Sequence, residues 1–476
     1  MVSEDIESIH LIAIGGTGVA PLACLLRQEG YQVRGSDGAL YPPMSTLLAD
    51  HGIEPLVGFD RSHLQPTPDL VIVGNAVPRH NPEALETERL GIERISMPQA
   101  LYRFFLESRQ PLVISGTHGK TTTTALAASV YTSCDQDPGY LIGGLPLDLE
   151  ASFARGSGPR FIIEGDEYNA AYFDRGPKFL HYRPQTLILT GVEHDHVDLY
   201  PDSDSFREAF RRLIAILPAE GLLIVDGDTD EVRELARSAP CEVVLYGLGE
   251  HNQLRPSGEI AWGEETTRFT IEDSDHGRLE IELGVGGEHN VRNALAVWAA
   301  TRSDRLPIDR VLRALRDFRG VQRRLETVGE AGGVLVVDDF AHHPTEIGTT
   351  LGALRQRHPQ RRLVVIFEPR SITSGRSFFF DAYLRAFSVA DVALIAPIHY
   401  RDRLQKEERI DLDELTRRLG DDGTEATFFD ELESLEGFAL ANLRPGDVVV
   451  TMSSGNFADL PRRLLGALRA SPDESR

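Results

Sequence analysis

One lysine and several threonines directly follow closely spaced glycines in the segment GTHGKTT, which comprises Gly116, Thr117, His118, Gly119, Lys120, Thr121 and Thr122. The segment follows the apolar run PLVIS and precedes the helical pattern TTTALAASVY. Glycines let the backbone wrap around a phosphate group, and the N-terminus of a helix adds a partial positive charge. We therefore predict an ATP site in which Lys120 reaches the terminal phosphates and the Thr121 hydroxyl binds Mg²⁺.

The loop is a shortened form of the general phosphate-binding pattern, which has a glycine where this chain has Ile114. The structural alternative is a glycine-rich turn between a strand and a helix, with a lysine there by coincidence. The succession of strand, glycines, Lys-Thr pair and helix favours the nucleotide site over that alternative.

Acidic and histidine residues follow two further predicted strands. Glu164 ends the strand FIIE and opens the segment EGDE, and EHDH at 193–196 comes shortly after the strand TLILT. The carboxyl ends of strands in open α/β sheets line the ligand crevice, and carboxylates suit Mg²⁺. We predict that Glu164 and His196 bind this metal with Thr121. Zinc is less favoured in such a cysteine-poor chain, and solvated charged loops are the structural alternative.

A second glycine cluster lies near the N-terminus, where Gly15, Gly16, Thr17 and Gly18 follow the predicted strand IHLIAI. Ser36 and Asp37 come about 20 residues later, beyond the second predicted strand, YQVR. The third glycine of a dinucleotide fingerprint is replaced by Pro21. The cluster therefore favours an anion site at a helix N-terminus over a dinucleotide site, and a tight turn remains the structural alternative.

A polar cluster, DDFAHHPTE at 338–346, follows the predicted strand VLVV. It is either a site or a helix cap that involves Thr345 and Glu346. Glu368 and Arg370 close the next predicted strand, where the arginine could bind a substrate carboxylate.

Composition excludes several classes of protein. The chain has 476 residues, of which 41% are hydrophobic, and a formal net charge of −24 at pH 7. So much negative charge disfavours binding to nucleic acid or to anionic membranes. The three cysteines form no disulfide or metal motif, and no signal-peptide pattern or apolar run of membrane-spanning length occurs. We expect a cytoplasmic protein; its oligomeric state is left open by the sequence.

Alternating strand and helix patterns predict an α/β protein with three domains. We expect an N-terminal Rossmann-like domain at 1–107 and a C-terminal Rossmann-like domain at 322–476. Between them, at 108–321, we expect a central ATPase-like parallel sheet with added antiparallel strands.

These motifs, taken in order, resemble the Mur ligase family of ATP-dependent enzymes that build peptidoglycan precursors. The order is GGTG, GTHGKTTT, EGDEY, EHDH, GEHNVRNA, GVQRRLE and DDFAHHPTE, and it spans nearly the whole chain. YPPMSTLL at 41–48, the segment at 167–189 and FEPRSIT at 367–373 are similar to the branch that attaches a tripeptide during cell-wall recycling.

The resemblance implies roles for individual residues. ATP would be bound by residues 116–122, by Asn290 and Asn293 on the adenine side, and by Arg324 and Asp339 from the third domain. Lys120, Glu164, His196 and Arg324 would be catalytic. The UDP-sugar would lie against Gly15, Gly16, Thr17, Gly18, Ser36 and Asp37, and the peptide against His342, His343 and Arg370.

The implied reaction joins the lactyl carboxylate of UDP-N-acetylmuramate to the amine of L-alanyl-γ-D-glutamyl-meso-diaminopimelate through an acyl phosphate. The L-alanine-adding branch is the alternative within the family, but it carries an arginine where Ser371 stands. From other classes, the alternatives are an NAD-dependent oxidoreductase and a non-catalytic nucleotide-binding regulator.

The chain departs from the family pattern at two points. No lysine occurs between Lys178 and Lys406, so the carbamylated lysine of several relatives is absent. Asn169 stands where the branch usually has an aspartate, which leaves the role of that position open.

Overall fold

A computed structural model describes residues 6–193, 199–200, 202–371 and 373–470. The chain divides into two compact units. The first comprises Met1–Pro256, Ile271–Gly277 and Arg292–Leu315, and the second comprises Ser257–Thr270, Arg278–Val291 and Arg316–Arg476. Among the described residues, the helices are all too short or too polar to cross a membrane.

The first unit begins with a five-stranded parallel sheet of order β3-β2-β1-β4-β5. Its strands are β1 (Ser8–Ile12), β2 (Gln32–Asp37), β3 (Leu56–Val57), β4 (Leu70–Val73) and β5 (Glu93–Ser96). Its helices are α1 (Val19–Gln28), α2 (Met44–Asp50), α3 (Pro82–Leu90) and α4 (Met97–Leu101), with a 3-10 turn at Arg61–Leu64 and a π-helical turn at Tyr102–Leu106.

One boundary in this sheet differs from the sequence prediction. Ser36 and Asp37 belong to β2 instead of following it, because Ser36 pairs with both Ile12 and Leu56, and Asp37 pairs with Val57. The added pairing with the short strand β3, which the sequence pattern did not reveal, extends β2 to Asp37.

A second sheet in the same unit has seven strands in the order β14-β13-β12-β6-β9-β7-β8, parallel except for β8. The segment contains β6 (Gln110–Ser115), β7 (Gly139–Leu141), β8 (Phe153–Ala154), β9 (Arg160–Gly165), the hairpin strands β10 (Asn169–Ala171) and β11 (Asp174–Pro177), β12 (Thr186–Leu189), β13 (Leu222–Asp226) and β14 (Glu242–Tyr246). Its helices are α5 (Lys120–Ser133), α6 (Ser203–Ala215) and α7 (Asp230–Ala236), with a 3-10 turn at Lys178–His181.

Residues 257–317 contribute to both units. They contain the three-stranded sheet β15 (Ala261–Trp262), β16 (Thr267–Asp273) and β17 (Gly277–Leu283), followed by α8 (Glu288–Ser303) and α9 (Ile308–Asp317). The antiparallel pairing of β15 with β16 confirms the prediction of antiparallel strands in this stretch.

The second unit contains a six-stranded sheet of order β18-β19-β23-β20-β21-β22, parallel except for β18. The strands are β18 (Glu326–Ala331), β19 (Val334–Asp339), β20 (Leu363–Phe367), β21 (Val392–Ile395), β22 (Glu425–Phe428) and β23 (Val448–Met452). The helices are α10 (Pro344–Arg357), α11 (Phe380–Phe387), α12 (Leu412–Asp421), α13 (Leu432–Asn442) and α14 (Leu460–Ala470), with 3-10 turns at Ser377–Phe379, Arg401–Arg403, Lys406–Glu408 and Phe457–Asp459.

Helices cover both faces of these sheets, and this explains why their central strands are continuous apolar runs. In the second unit, Val365 and Val450 face one core while Val364 and Val449 face another. The predicted α/β class with three such sheets is confirmed. The domain limits at 107–108 and 321–322 stay predictions.

Candidate active site

The loop after β6 is held against the residues that follow β12. Thr117 donates its backbone N–H to the carbonyl of Gly191 at 3.0 Å, and the Thr190 hydroxyl donates to the carbonyl of His118 at 2.5 Å. Gly116 has φ +131°, and a Cβ there would lie 2.7 Å from the Gly191 carbonyl oxygen. The loop path therefore requires glycine at this position on both conformational and steric grounds.

Helix α5 begins directly at the end of this loop. Gly119, with φ +80°, is its N-cap, and Lys120, Thr121 and Thr122 form its first turn. The partial positive charge of the helix N-terminus therefore lies at the glycine loop, as a phosphate site requires.

Lys120 is largely buried at this helix end, with 11% of its side chain exposed. Its Nζ donates to the Gly116 carbonyl at 2.5 Å and pairs with the Glu167 carboxylate at 3.2 Å. Burial lowers the pKa of Lys120, but the carboxylates of Glu167, Asp166 and Glu164 outweigh it and raise this pKa overall. The ammonium group is therefore charged at any physiological pH.

The Thr121 hydroxyl and the Glu164 carboxylate, two groups that could bind a metal through oxygen, lie side by side near Lys120. The Thr121 hydroxyl donates to Glu164 Oε2 at 3.0 Å, and the Gly143 backbone N–H donates to Glu164 Oε1 at 2.5 Å. Burial and the nearby charge of Asp166 raise the pKa of Glu164. Hard oxygen ligands next to a phosphate loop fit Mg²⁺. The third predicted ligand, His196, lies outside the described residues.

The first residue of the EHDH segment contacts the glycine loop. Glu193 Oε2 lies 3.0 Å from His118 Nε2, and the Thr117 hydroxyl donates to the Glu193 carbonyl at 2.9 Å. Thr117 and His118 are predicted ATP contacts, and in the structure both side chains of these loop residues contact Glu193.

The first two turns of α8 carry the two predicted adenine contacts, Asn290 and Asn293, both of which are buried. The Asn290 amide donates to the Gly286 carbonyl at 2.7 Å. A Cβ on Gly119 would lie 3.2 Å from Asn293 Oδ1, so Asn293 adjoins the glycine loop.

The N-terminal glycine turn is held by a carboxylate from β2. Asp37 Oδ2 accepts the backbone N–H of Gly15 at 2.8 Å, and Val19 donates its N–H to the Gly16 carbonyl at 2.9 Å. Thr17 is exposed, and Gly18 is the N-cap of α1.

Ser36 departs from its predicted role. Its side chain is completely buried and its hydroxyl donates to Glu83 Oε2 at 2.5 Å, so it is not directed at a ligand in this conformation. The inclusion of Ser36 in β2 explains this, because successive side chains of a strand point to opposite faces of the sheet.

In the second unit, Asp339 fastens the backbone beside Arg324. Its carboxylate accepts the N–H groups of Leu325 at 2.6 Å and Ala341 at 2.8 Å, and the Arg324 guanidinium lies 4.9 Å from the centre of the Phe340 ring. Burial raises the pKa of Asp339 to about 6, although Arg324 opposes the change. This geometry suits a residue that orients Arg324.

The two histidines of the polar cluster have different surroundings. His343 is the N-cap of α10, where it accepts the N–H of Thr345, and its ring packs edge-on against Phe379. His342 Nδ1 lies 3.5 Å from a carboxylate oxygen of Glu346. The helix-cap alternative therefore describes His343, with the histidine as the capping residue.

Arg370 lies in a pocket of polar groups at the end of β20. It pairs with Glu368 at 3.5 Å, and Glu368 accepts the Ser453 hydroxyl at 2.5 Å. Gly455 leaves room for the arginine, since a Cβ there would overlap the guanidinium group.

Comparison with known proteins identifies the family. Residues 8–109 match the model described as "Mur ligase family, catalytic domain", residues 114–301 the Mur ligase middle domain, and residues 323–455 "Mur ligase, glutamate ligase domain". The UDP-N-acetylmuramate–L-alanyl-gamma-D-glutamyl-meso-2,6-diaminoheptandioate ligase of Escherichia coli K12 is 36% identical over 463 residues, which cover 97% of this chain and 98% of that protein. The chain belongs to the Mur ligase family.

Two other Mur ligases show how far the similarity extends. The UDP-N-acetylmuramate–L-alanine ligase of Halorhodospira halophila is 34% identical and covers 98% of this chain and 94% of its own. The crystal structure of a murein peptide ligase from Psychrobacter arcticus aligns with a TM-score of 0.71 at 31% identity and covers 98% of this chain and 99% of its own.

Two residues of this Mur ligase site, and one contact of the acidic segment EGDE, were not predicted. Gly143 binds Glu164 through its backbone, Thr190 supports the glycine loop, and Glu167 holds Lys120. The glycine pair at 143–144 after an apolar run was an available signal for the first. Thr190 and Glu167 stand at strand ends, but their partners become evident only once the strand order is known.

We predict that Gly116→Ala weakens the affinity for a non-hydrolysable ATP analogue at least tenfold. A left-handed backbone angle and the clash with Gly191 would together cost about 2–4 kcal/mol unless the loop moves. Titration calorimetry measures the affinity. Gly466→Ala is the control, since Gly466 lies in α14 with open space around its Cα. Equal affinity of both variants and the wild type would refute the prediction.

Asp339 generates a pH-dependent prediction. Because its pKa rises from 3.8 to about 6 on folding, its ionisation destabilises the folded state, and this cost grows as pH rises through that window. The free energy of unfolding of Asp339→Asn should therefore increase, relative to that of the wild type, as the pH rises from about 4 to about 6. Denaturant unfolding across this pH range measures the difference in free energy of unfolding between the two proteins. A difference that does not change with pH would contradict the raised pKa of Asp339.

Proposed function

We propose that the protein is an ATP-dependent ligase that joins the lactyl carboxylate of UDP-N-acetylmuramate to the amine of L-alanyl-γ-D-glutamyl-meso-diaminopimelate. The observation that carries the proposal is the convergence of Lys120 Nζ, the Thr121 hydroxyl and Glu164 at the N-terminus of α5. Similarity along almost the whole length of the E. coli relative that bears this name supports the choice of substrates.

The residues present suit a reaction in which the sugar carboxylate attacks the γ-phosphate of ATP. Lys120 and the backbone N–H groups of the glycine loop would stabilise the negative charge that develops on the transferred phosphoryl group. ADP leaves, and the acyl phosphate is then attacked by the peptide amine, which loses a proton as phosphate leaves.

Thr121 and Glu164, with His196, would hold Mg²⁺, which neutralises phosphate charge when bound. Their oxygen donors lie 3.0 Å apart, so both could reach one small cation after the hydrogen bond between them breaks. The protein has a net charge of −24, so Lys120 and Mg²⁺ would have to offset the charge of several anionic substrates at the site.

We assign the other roles by domain. Residues 1–107 would bind the UDP-sugar through the glycine turn and Asp37, residues 108–321 would bind ATP, and residues 322–476 would bind the peptide through His342, His343 and Arg370. Arg324 would contact ATP from the third domain. We expect the enzyme to act in the cytoplasm, where ATP and nucleotide sugars are available.

L-Alanine is the second candidate for the amine substrate, since the H. halophila L-alanine ligase is nearly as similar as the E. coli tripeptide ligase. We favour the tripeptide because the segments at 41–48 and 367–373 resemble that branch, and Ser371 stands where the other branch carries an arginine.

A substrate panel tests the proposal. Phosphate release from ATP in the presence of Mg²⁺ and UDP-N-acetylmuramate is measured with L-alanine, the dipeptide, the tripeptide or the tetrapeptide. We expect the highest kcat/KM with the tripeptide, and faster release with L-alanine would overturn the assignment. Lys120→Ala should lower kcat/KM at least about 100-fold. Lys406→Ala, which changes an exposed lysine, should leave it unchanged.

A further inference from the structure

The side chain of Glu83 lies in the interior of the N-terminal sheet, with none of its surface exposed. One carboxylate oxygen is 3.0 Å from His10 Nε2 and accepts the Ser36 hydroxyl at 2.5 Å. The other is 2.8 Å from His63 Nδ1 and accepts the backbone N–H of Asp60 at 3.2 Å. Each oxygen of this buried carboxylate therefore has two hydrogen-bond partners.

These partners come from separate parts of the chain. His10 lies on β1, Ser36 on β2, and His63 in the 3-10 turn that follows β3, while Glu83 itself is in the first turn of α3. Asn81 caps that helix by accepting the backbone N–H of Glu83 at 2.9 Å. One side chain thus fixes the relative positions of two strands, a turn and a helix.

The network is built for a negative charge. Burial raises the pKa of Glu83, but the hydrogen bonds from His10, Ser36 and His63 outweigh it, and this pKa is lowered overall. A buried carboxylate is costly unless its donors are all in place, so any displacement of β2 relative to β1 is opposed.

This network adjoins the N-terminal glycine turn. Ser36, bound by Glu83, accepts the N–H of Ile14 through its own carbonyl at 3.0 Å. The next residue, Asp37, accepts the N–H of Gly15. The position of the glycine turn therefore depends on the ends of β1 and β2, which Glu83 holds together.

We propose that Glu83 is a positioning residue for the UDP-sugar site, acting through Ser36 and Asp37 on the Gly15–Gly18 turn. The inference rests on the proposed function, which assigns this turn to the UDP-sugar. Glu83 would not touch the substrate, and it should govern the affinity for the sugar nucleotide without changing the chemistry of phosphoryl transfer.

The test is Glu83→Gln, which keeps the shape of the side chain and removes its charge. We expect the KM for UDP-N-acetylmuramate to rise about tenfold or more, while kcat and the KM for ATP change less than about twofold. Glu86→Gln is the matched control on the same helix, because Glu86 pairs only with the exposed Arg89 among the contacts described. It should keep all three constants.

Ser36→Ala provides a second test that does not depend on folding of the charge-neutral variant, because it leaves the carboxylate with three donors. Ser36→Ala should raise the KM for UDP-N-acetylmuramate by a smaller factor. In the double variant with Glu83→Gln, the increase in this KM should be smaller than the product of the two separate increases. An unchanged KM for the sugar in both variants, or an equal loss toward all substrates, would overturn the proposal.

Binding of UDP, measured by calorimetry, separates this proposal from the proposed function. If the wild type releases no phosphate with any amine, the proposed function fails. Weaker UDP binding by Glu83→Gln than by the wild type would then still support the positioning role. Equal binding by the two proteins, or no binding by the wild type, would overturn it.

Discussion

Charge balance at the carboxyl end of the central sheet governs the arrangement of the candidate site. Glu164 lies near the end of β9, Asp166 and Glu167 come just after it, and Lys120 lies among these three carboxylates at the start of α5. Without this cation the three carboxylates would repel each other in a partly buried place, and without them the buried ammonium would be costly. The same lysine is bound by the Gly116 carbonyl, so the charge balance also sets the path of the glycine loop.

The loop and the acidic strand end therefore form one unit of structure. β6 lies between β9 and β12 in the sheet, which places Glu164 on one side of the loop and Thr190 on the other. A triphosphate bound there would offer Lys120 new anionic partners in exchange for the loop carbonyls. On nucleotide binding, the hydrogen bond between Thr121 and Glu164 would break, and both side chains would contact the cation instead.

Much of this could be predicted from the sequence because the signals are local. The apolar runs PLVIS, FIIE and TLILT predicted β6, β9 and β12 to within one residue at each end, and the succession of strand, glycines, lysine and helix located the glycine loop. Residues whose role depends on pairing between distant segments could not be predicted. Ser36 was assigned to the sugar, but the short strand β3 extends β2 and directs its hydroxyl to Glu83. The Glu83 carboxylate has partners from two strands and a 3-10 turn, and the residue belongs to no sequence motif. His343 was assigned to the peptide, and the helix cap considered for this segment involved Thr345 and Glu346, whereas the imidazole of His343 is the group that caps α10.

The central claim is that the loop at 116–122 binds the triphosphate of ATP and that Thr121 and Glu164 bind its metal. A crystal structure with a non-hydrolysable ATP analogue and Mg²⁺ tests it most directly. We predict that the β- and γ-phosphates contact Lys120 Nζ and the loop amides, with Mg²⁺ bound by the Thr121 hydroxyl and a Glu164 oxygen. An analogue bound elsewhere, with Lys120 still paired to Glu167 and the Gly116 carbonyl, would contradict the account.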